Sequence, residues 1–402
     1  MKNNYSLFSA PEKVIFCKKC IISNQRPNAT VEFQSKDTFK KETINFSKDG
    51  ICSACQFNEI KENKINWESR NKELSKLCDK YRKKSGYDVI VPSSGGKDSG
   101  YVAHMLKNEY GMNPLTVTWA PHLYTDIGWK NLQDFINVGG FDNILVTPNG
   151  KLHRKLTYLA FRNLLHPFQP FIIGQKVVGP LMAIKFDIPL VMYGENNAEY
   201  GNQINDNFIP TMDNIFFSNQ DLSKIYLGGK SISSLIKETE FKLNDFTFYI
   251  PPRVALLKKK KIEVRYFSYY KKWDPQESYY YAFNNTGFKP NTQRTEGTYS
   301  KYASIDDKID DFHYFTTYIK FGLGRASYDA AQEIRCGKIT REEAVALVKK
   351  YDAEFPKRYF KDFLDYINIT EKEFWKIIDS YRSPHLWEKI NNKDWKIKYT
   401  VY

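Results

Sequence analysis

The chain has 402 residues, 42% of them hydrophobic, enough for two or three packed units with a substantial core. Its 60 basic residues outweigh 46 acidic ones, and the net charge of +14 draws anions without choosing among nucleic acid, sugar nucleotide, acidic sugar or ATP. The longest apolar stretches, such as Phe171-Ile172-Ile173, are soon interrupted by polar residues or proline, and Met1–Tyr5 opens no apolar signal segment. The reading therefore excludes a membrane span and secretion and expects a cytoplasmic protein.

Near the start, Cys17-Lys18-Lys19-Cys20 and Cys52-Ser53-Ala54-Cys55 form two Cys-x-x-Cys pairs. Their four thiolates can meet as a tetrahedral Zn²⁺ site with one knuckle from each pair. Disulfides or redox dithiols are the alternative, disfavoured because a cytosolic chain is kept reduced and no thioredoxin-like pattern surrounds either pair. With all four positions filled by protein the metal is structural, since a segment of this size has little core without it. Cys78 and Cys336 stand alone and read as packing residues rather than nucleophiles.

From Ile60 to Lys84 the chain is charged, with Ile65, Leu74 and Leu77 spaced for one helix face, which predicts a helical connector. The apolar run Tyr87–Val91 then leads into Pro92-Ser93-Ser94-Gly95-Gly96-Lys97-Asp98-Ser99-Gly100 and a helical segment. Such a strand–loop–helix is a phosphate cradle. Two glycines bring the backbone close to an anion, the helix N-terminus aims N–H groups at it, and Ser94, Lys97 and Ser99 add donors and charge. Gly96-Lys97 is followed by Asp98 rather than Ser or Thr, so this is not a Walker loop, and the carboxylate suits Mg²⁺ beside a pyrophosphate. The string Ser-Gly-Gly-Lys-Asp-Ser resembles the PP-loop ATP pyrophosphatases, which cleave ATP to AMP and pyrophosphate while adenylating a substrate oxygen.

Four further strands are expected at 115–119, 143–147, 189–193 and 262–266, separated by helices. This alternation predicts an α/β fold with a five-stranded parallel sheet, ligands binding at the carboxyl ends of its strands. Trp119 ends the second strand, where a related sheet would place contacts to adenine. Gly194-Glu195-Asn196-Asn197-Ala198-Glu199-Tyr200 follows the fourth. Glu195 and Glu199 offer carboxylates there, Glu195 as a Mg²⁺ or ATP-site residue or else in a capping or solvated role. Phe171–Gln175 is a further candidate wall. Residues 205–261 interrupt the pattern as an insertion, and Lys258–Lys261 within it reads as a solvated face. Asp274-Pro275-Gln276-Glu277 predicts a capped helix start.

The remainder is predicted helical, with capping boxes at Thr340–Glu343 and Thr370–Glu373. Ahead of them, Asp306–His313 is either a salt-bridged helix start or part of a site. Lys320-Phe321-Gly322-Leu323-Gly324-Arg325 offers two cations for a carboxylate or phosphate.

Several strings together resemble the N-acetyl sugar amidotransferases of bacterial surface-polysaccharide (lipopolysaccharide O-antigen) and nonulosonic acid pathways. They are Phe16-Cys17-x-x-Cys20 with Arg26-Pro27, Gly50-Ile51-Cys52-x-x-Cys55, Ile65-Asn66-Trp67-x-x-Arg70, Ser94–Ser99, Glu296–Ser304, Phe321-Gly322-x-Gly324-Arg325-Ala326 and Ser383-Pro384-His385-Leu386-Trp387. The resemblance implies an adenine nucleotide alpha hydrolase-like sheet carrying an N-terminal four-cysteine zinc module and a helical C-terminal domain. The expected divisions are 1–70 for the zinc module and connector, 71–290 for the ATP pyrophosphatase domain with its insertion, and 291–402 for substrate or partner contacts. It further implies ATP-dependent conversion of an acetamido group to an acetamidino group. Ammonia would come from a separate glutaminase subunit, with a cyclase-like subunit as a candidate channel; no glutaminase triad is legible in the chain.

An amide oxygen is a very poor leaving group, and adenylation converts it into AMP, a good one. Ser94, Gly95, Gly96, Lys97 and Ser99, with Mg²⁺ on Asp98, would stabilise the departing pyrophosphate. Trp119, Gly194 and Glu195 are the remaining ATP-site candidates, and Lys301, Asp307 and Arg325 the C-terminal catalytic ones. Two rival readings remain. A tRNA-thiolating PP-loop enzyme would need cysteines near its active site, which two isolated thiols do not supply, so no nucleic acid partner is expected. A non-enzymatic nucleotide-binding module would leave a complete pyrophosphate cradle unused.

Overall fold

The computed structural model describes residues 11–36, 42–195, 197–201, 208–219, 221–391 and 394–402. Met1–Tyr5, Asn196 and the start of the expected insertion at 205–207 lie outside these. The charged connector is two helices rather than one, α1 (Ser53–Asn63) and α2 (Trp67–Tyr81), and residue 70 falls inside the second. The break has a local cause: Asn66 caps α2, its side chain accepting from the Ser69 N–H at 2.9 Å.

A βα alternation follows: β1 (Val89–Pro92), α3 (Lys97–Asn108), β2 (Pro114–Trp119), α4 (Asp126–Asn137), β3 (Asp142–Val146), α5 (Gly150–Leu164), α6 (Gln169–Phe186) and β4 (Leu190–Tyr193). Between β4 and the last sheet strand lie the small hairpin β5 (Tyr226–Leu227) and β6 (Lys230–Ser231), then α7 (Ile232–Glu238) and α8 (Val254–Lys259), where the insertion was expected. Next come β7 (Glu263–Tyr266), α9 (Phe267–Tyr270) and α10 (Pro275–Asn285). The five expected strands form one parallel sheet in the order β3-β2-β1-β4-β7, with Val89 level with both Pro114 and Leu190. Strand order reverses at β1, so the chain leaves β1 and β4 in opposite directions and opens a crevice at their carboxyl ends.

Both sheet faces are covered, which is why the central strands are apolar throughout. Leu74, Met105, Leu106 and Phe135 pack on one face. On the other lies α6, drawn close because Gly174 has no side chain; a Cβ there would stand 2.1 Å from the Trp119 ring. The C-terminal helices α11 (Asp310–Phe321), α12 (Arg325–Arg335), α13 (Arg341–Tyr351), α14 (Phe360–Ile367) and α15 (Glu371–Ser380) end in a hairpin of β8 (Trp387–Ile390) and β9 (Asp394–Ile397). Phe312, Phe363 and Phe374 share a buried cluster with Ile90 and Val117, so these helices complete the sheet's core. The capping box at Thr340–Glu343 forms with both bonds made, whereas Thr370 and Asp274 cap α15 and α10 through their own side chains without the reciprocal Glu bond.

Candidate functional site

Cys17, Cys20, Cys52 and Cys55 are buried, and their sulfurs all lie within 4.8 Å of one another. Sulfurs of Cys17 and Cys55 are 3.9 Å apart and those of Cys20 and Cys52 3.6 Å. A disulfide needs about 2.05 Å. Four Zn–S bonds of about 2.3 Å in a tetrahedron put sulfurs ~3.8 Å apart, so the donor set fits that metal. The Cys17 sulfur also accepts from the backbone N–H of Cys20 and Cys52, which fixes both knuckles. The cluster packs on Ala326, Ala330 and Ala331 of α12, residues small enough to admit it.

At the carboxyl end of β1 the backbone turns through Gly95, whose φ of +80° is open to glycine and strained for other residues. Helix α3 begins at Lys97 behind Gly96, which has no side chain to cap it, so the first N–H groups of the helix face a cavity of about 210 Å³. Ser93 and Ser99 hydroxyls are bonded at 2.9 Å beneath the loop. Lys97 pairs with Asp98, and Asp98 also accepts from the Trp273 indole at 3.0 Å. Gly194 passes beside Asp98, which brings Glu195 to the same pocket. Burial, reinforced by the Asp98 charge, pushes the Glu195 carboxyl up to about 7, against a hydrogen bond from Tyr200. Asp98 and Glu195, with Lys97 beside them, are the carboxylates at this loop that could hold a divalent cation such as Mg²⁺.

The loop cavity joins a larger one of about 580 Å³; Ser94, Lys97, Asp306, Asp310 and Arg325 line both. Its far wall comes from the C-terminal part. Residues 305–308 run against the loop after β2, where Thr125 donates to the Ile305 carbonyl and its N–H to that of Asp306. Burial raises the Asp310 carboxyl to about 7, opposed by Arg325 and Ser304. Asp306, beside Ser94, is raised for the same reason. Arg325 opens α12, ion-paired to Asp329 at 2.9 Å with its guanidinium over the Tyr314 ring. Asp329 and Glu333 also bind the Glu296–Ser304 segment, accepting from Thr298 and Tyr299.

Among the expected site residues, Ser94, Gly95, Gly96, Lys97, Asp98, Glu195 and Arg325 line these two cavities, with Ser99 and Gly194 directly behind them. Three others are placed differently. Trp119 is 3% exposed and lines neither cavity, because Gly174 and Tyr249 pack on its ring. Lys301 is exposed and outside both. Asp307 touches the cavity, but its oxygens accept from His122 Nδ1 at 2.7 Å and from the backbone N–H of His122, Leu123 and Ile309, which commits it to holding the loop. Glu199 is buried against Lys61 at 2.9 Å rather than offered to a ligand. The wall expected to be cationic is acid-rich, and Lys320 is buried against the Leu164 carbonyl. Sequence reasoning missed Asp329 and Glu333, although Arg325, Asp329 and Glu333 recur every fourth residue on one helix face. It also passed over His166 and Tyr328, which carry no local signal.

Fold and site define an α/β protein with a glycine-built loop and an uncapped helix start at the sheet's switch point, facing an acid-rich wall. Residues 296–401 match the family model described as LPS biosynthesis protein WbpG-like, C-terminal domain. No curated protein matches the chain. No helix among the described residues is long and apolar enough to cross a membrane.

Proposed function

We propose that the protein is an ATP-dependent amidotransferase that converts a sugar acetamido group to an acetamidino group, releasing AMP and pyrophosphate and using ammonia from a glutaminase partner. The observation that carries this reading is the free N-terminus of α3 behind Gly95-Gly96, opening with Lys97 and Asp98 onto a cavity whose opposite wall is the C-terminal match. The family description names lipopolysaccharide biosynthesis, which supports a sugar as acceptor.

The acetamido oxygen attacks the α-phosphorus and pyrophosphate leaves onto the α3 N-terminus, Lys97 and the Ser94 hydroxyl, while Ser99 braces the loop from behind by accepting from Ser93 and donating to the Gly96 carbonyl. Asp98 and Glu195 would hold Mg²⁺, which supplies charge neutralisation for that group. Ammonia then adds to the activated carbon and AMP departs. The incoming nitrogen must shed a proton, and Asp310, raised to about 7 by burial, is the carboxylate suited to take it. The four-cysteine site would bind Zn²⁺ and contribute stability rather than chemistry.

Thiol chemistry is disfavoured because neither remaining cysteine lines the cavity, and burial raises Cys78 to about 12 and Cys336 to about 11. The acid-rich wall likewise disfavours a polyanion such as tRNA. Chromatography of ATP reaction products tests the loop assignment: AMP with pyrophosphate is expected, and ADP with phosphate would overturn it.

A further inference from the structure

Both cations that the C-terminal sequence offered to an anion are engaged, Lys320 with a carbonyl and Arg325 with Asp329. Arg26 is not engaged in this way. Its side chain is 4% exposed and lines the larger cavity, and it forms no ion pair among the described residues. Its surroundings are aromatic instead: the guanidinium carbon lies 4.5 Å from the centre of the Tyr328 ring and 5.5 Å from that of Tyr200. Stacking of this kind removes water while leaving the planar fork of donors free, the state in which a guanidinium binds an oxyanion best.

The position of Arg26 is set by the metal module. Cys17 N–H donates to the Ile22 carbonyl at 2.8 Å, closing the knuckle. Arg26 N–H then reaches the Ser23 carbonyl at 3.2 Å, and the Arg26 carbonyl accepts from Ile44 N–H at 2.9 Å. A second buried guanidinium, Arg335, is outside this cavity, donates to the Glu199 carbonyl and to Gln332, and feels the charge of Cys20, Cys55 and Cys52, whereas of the four cysteines Arg26 feels Cys52. Arg335 is thus the cation nearer the four thiols, and Arg26 is the one of the two that lines the cavity.

We propose that Arg26 is the anion-recognising residue of the acceptor site. It takes an oxyanion of the acetamido sugar, supplied by the carboxylate of a sugar acid or the phosphate of a sugar nucleotide. The proposal rests on the amidotransferase reading for the acceptor's identity, while the oxyanion subsite rests on Arg26 itself.

Calorimetric titration of the full chain with N-acetylneuraminate, UDP-N-acetylglucosamine, neutral N-acetylglucosamine and ATP tests this in wild type, Arg26→Gln and Arg26→Lys. Arg26→Gln is expected to weaken one of the two anionic sugars by about 10- to 100-fold, with neutral sugar, ATP, zinc content and melting temperature unchanged. The anion that loses affinity identifies the source. Arg26→Lys keeps the buried charge and loses the fork, so it should fall between, and it serves if the Gln variant does not fold. The proposal is overturned if wild type binds neither anion, if Arg26→Gln binds both as wild type does, if ATP weakens instead, or if zinc is lost. Should anion binding depend on Arg26 while no amidine ever forms, the subsite stands and the proposed reaction falls.

Discussion

Replacing Gly95 with alanine tests the loop through two separable costs. At φ +80° an alanine carries about 1–2 kcal/mol of backbone strain. Its Cβ would also stand 2.7 Å from the Leu132 Cα, 2.9 Å from the Leu132 nitrogen and 3.0 Å from the Asn131 carbonyl oxygen, all backbone of α4. Backbone cannot rotate away, so an overpacking cost of about 1–3 kcal/mol is added. Gly297 supplies the control: its φ is +84° and nothing lies within 4 Å of a Cβ there, so Gly297→Ala carries the strain alone. Urea unfolding should show Gly95→Ala less stable than Gly297→Ala by about 1–3 kcal/mol. Because α4 can relieve the clash only by pushing the loop off the α3 N-terminus, AMP formation should fall by ~100-fold in Gly95→Ala. The reasoning is refuted if the two variants unfold alike and both retain wild-type turnover.

Cys52→Ser should remove zinc and lower the melting temperature, read by metal analysis and calorimetry; full zinc content in the variant would contradict the four-thiolate site. Between about pH 6.5 and 8, above the range where His153, His104 and His385, kept neutral by burial, act in the opposite sense, the apo protein should lose stability as pH rises. Glu195 and Asp310 at about 7 and Asp352 at about 6 keep protons in the folded state that ordinary carboxyls release near 4 when unfolded. A melting temperature that climbs across that window would contradict it. Lys301→Ala should leave kcat/KM within about twofold, since the side chain is outside the cavity, whereas Arg325→Ala strands Asp329 and should cost ~10- to 100-fold. Equal effects of the two would put Lys301 back at the site.

The strands were legible because short apolar runs between glycine and proline punctuation have few other uses, and the cysteine spacing and Ser94–Ser99 string are local patterns with local geometry. Side-chain direction is not local. Whether Trp119 faces a ligand or the underside of α6 depends on Gly174, more than fifty residues later, and whether Lys320 is free depends on the Leu164 carbonyl. Asp307 looked like a catalytic residue from its neighbours, but three backbone N–H groups and His122 occupy it. Arg26 was visible only as part of a string, because a stacked, desolvated guanidinium has no sequence signature.

The most direct measurement supplies the isolated protein with ATP, Mg²⁺, an anionic acetamido sugar and high ammonium, and follows nucleotide and sugar together by mass spectrometry. The account predicts one AMP per sugar converted and a sugar lighter by about one mass unit, as oxygen gives way to NH, with glutamine unable to replace ammonium until a glutaminase is added. It is contradicted if ATP is cleaved to ADP, if AMP forms only when tRNA is present, or if the chain hydrolyses glutamine by itself.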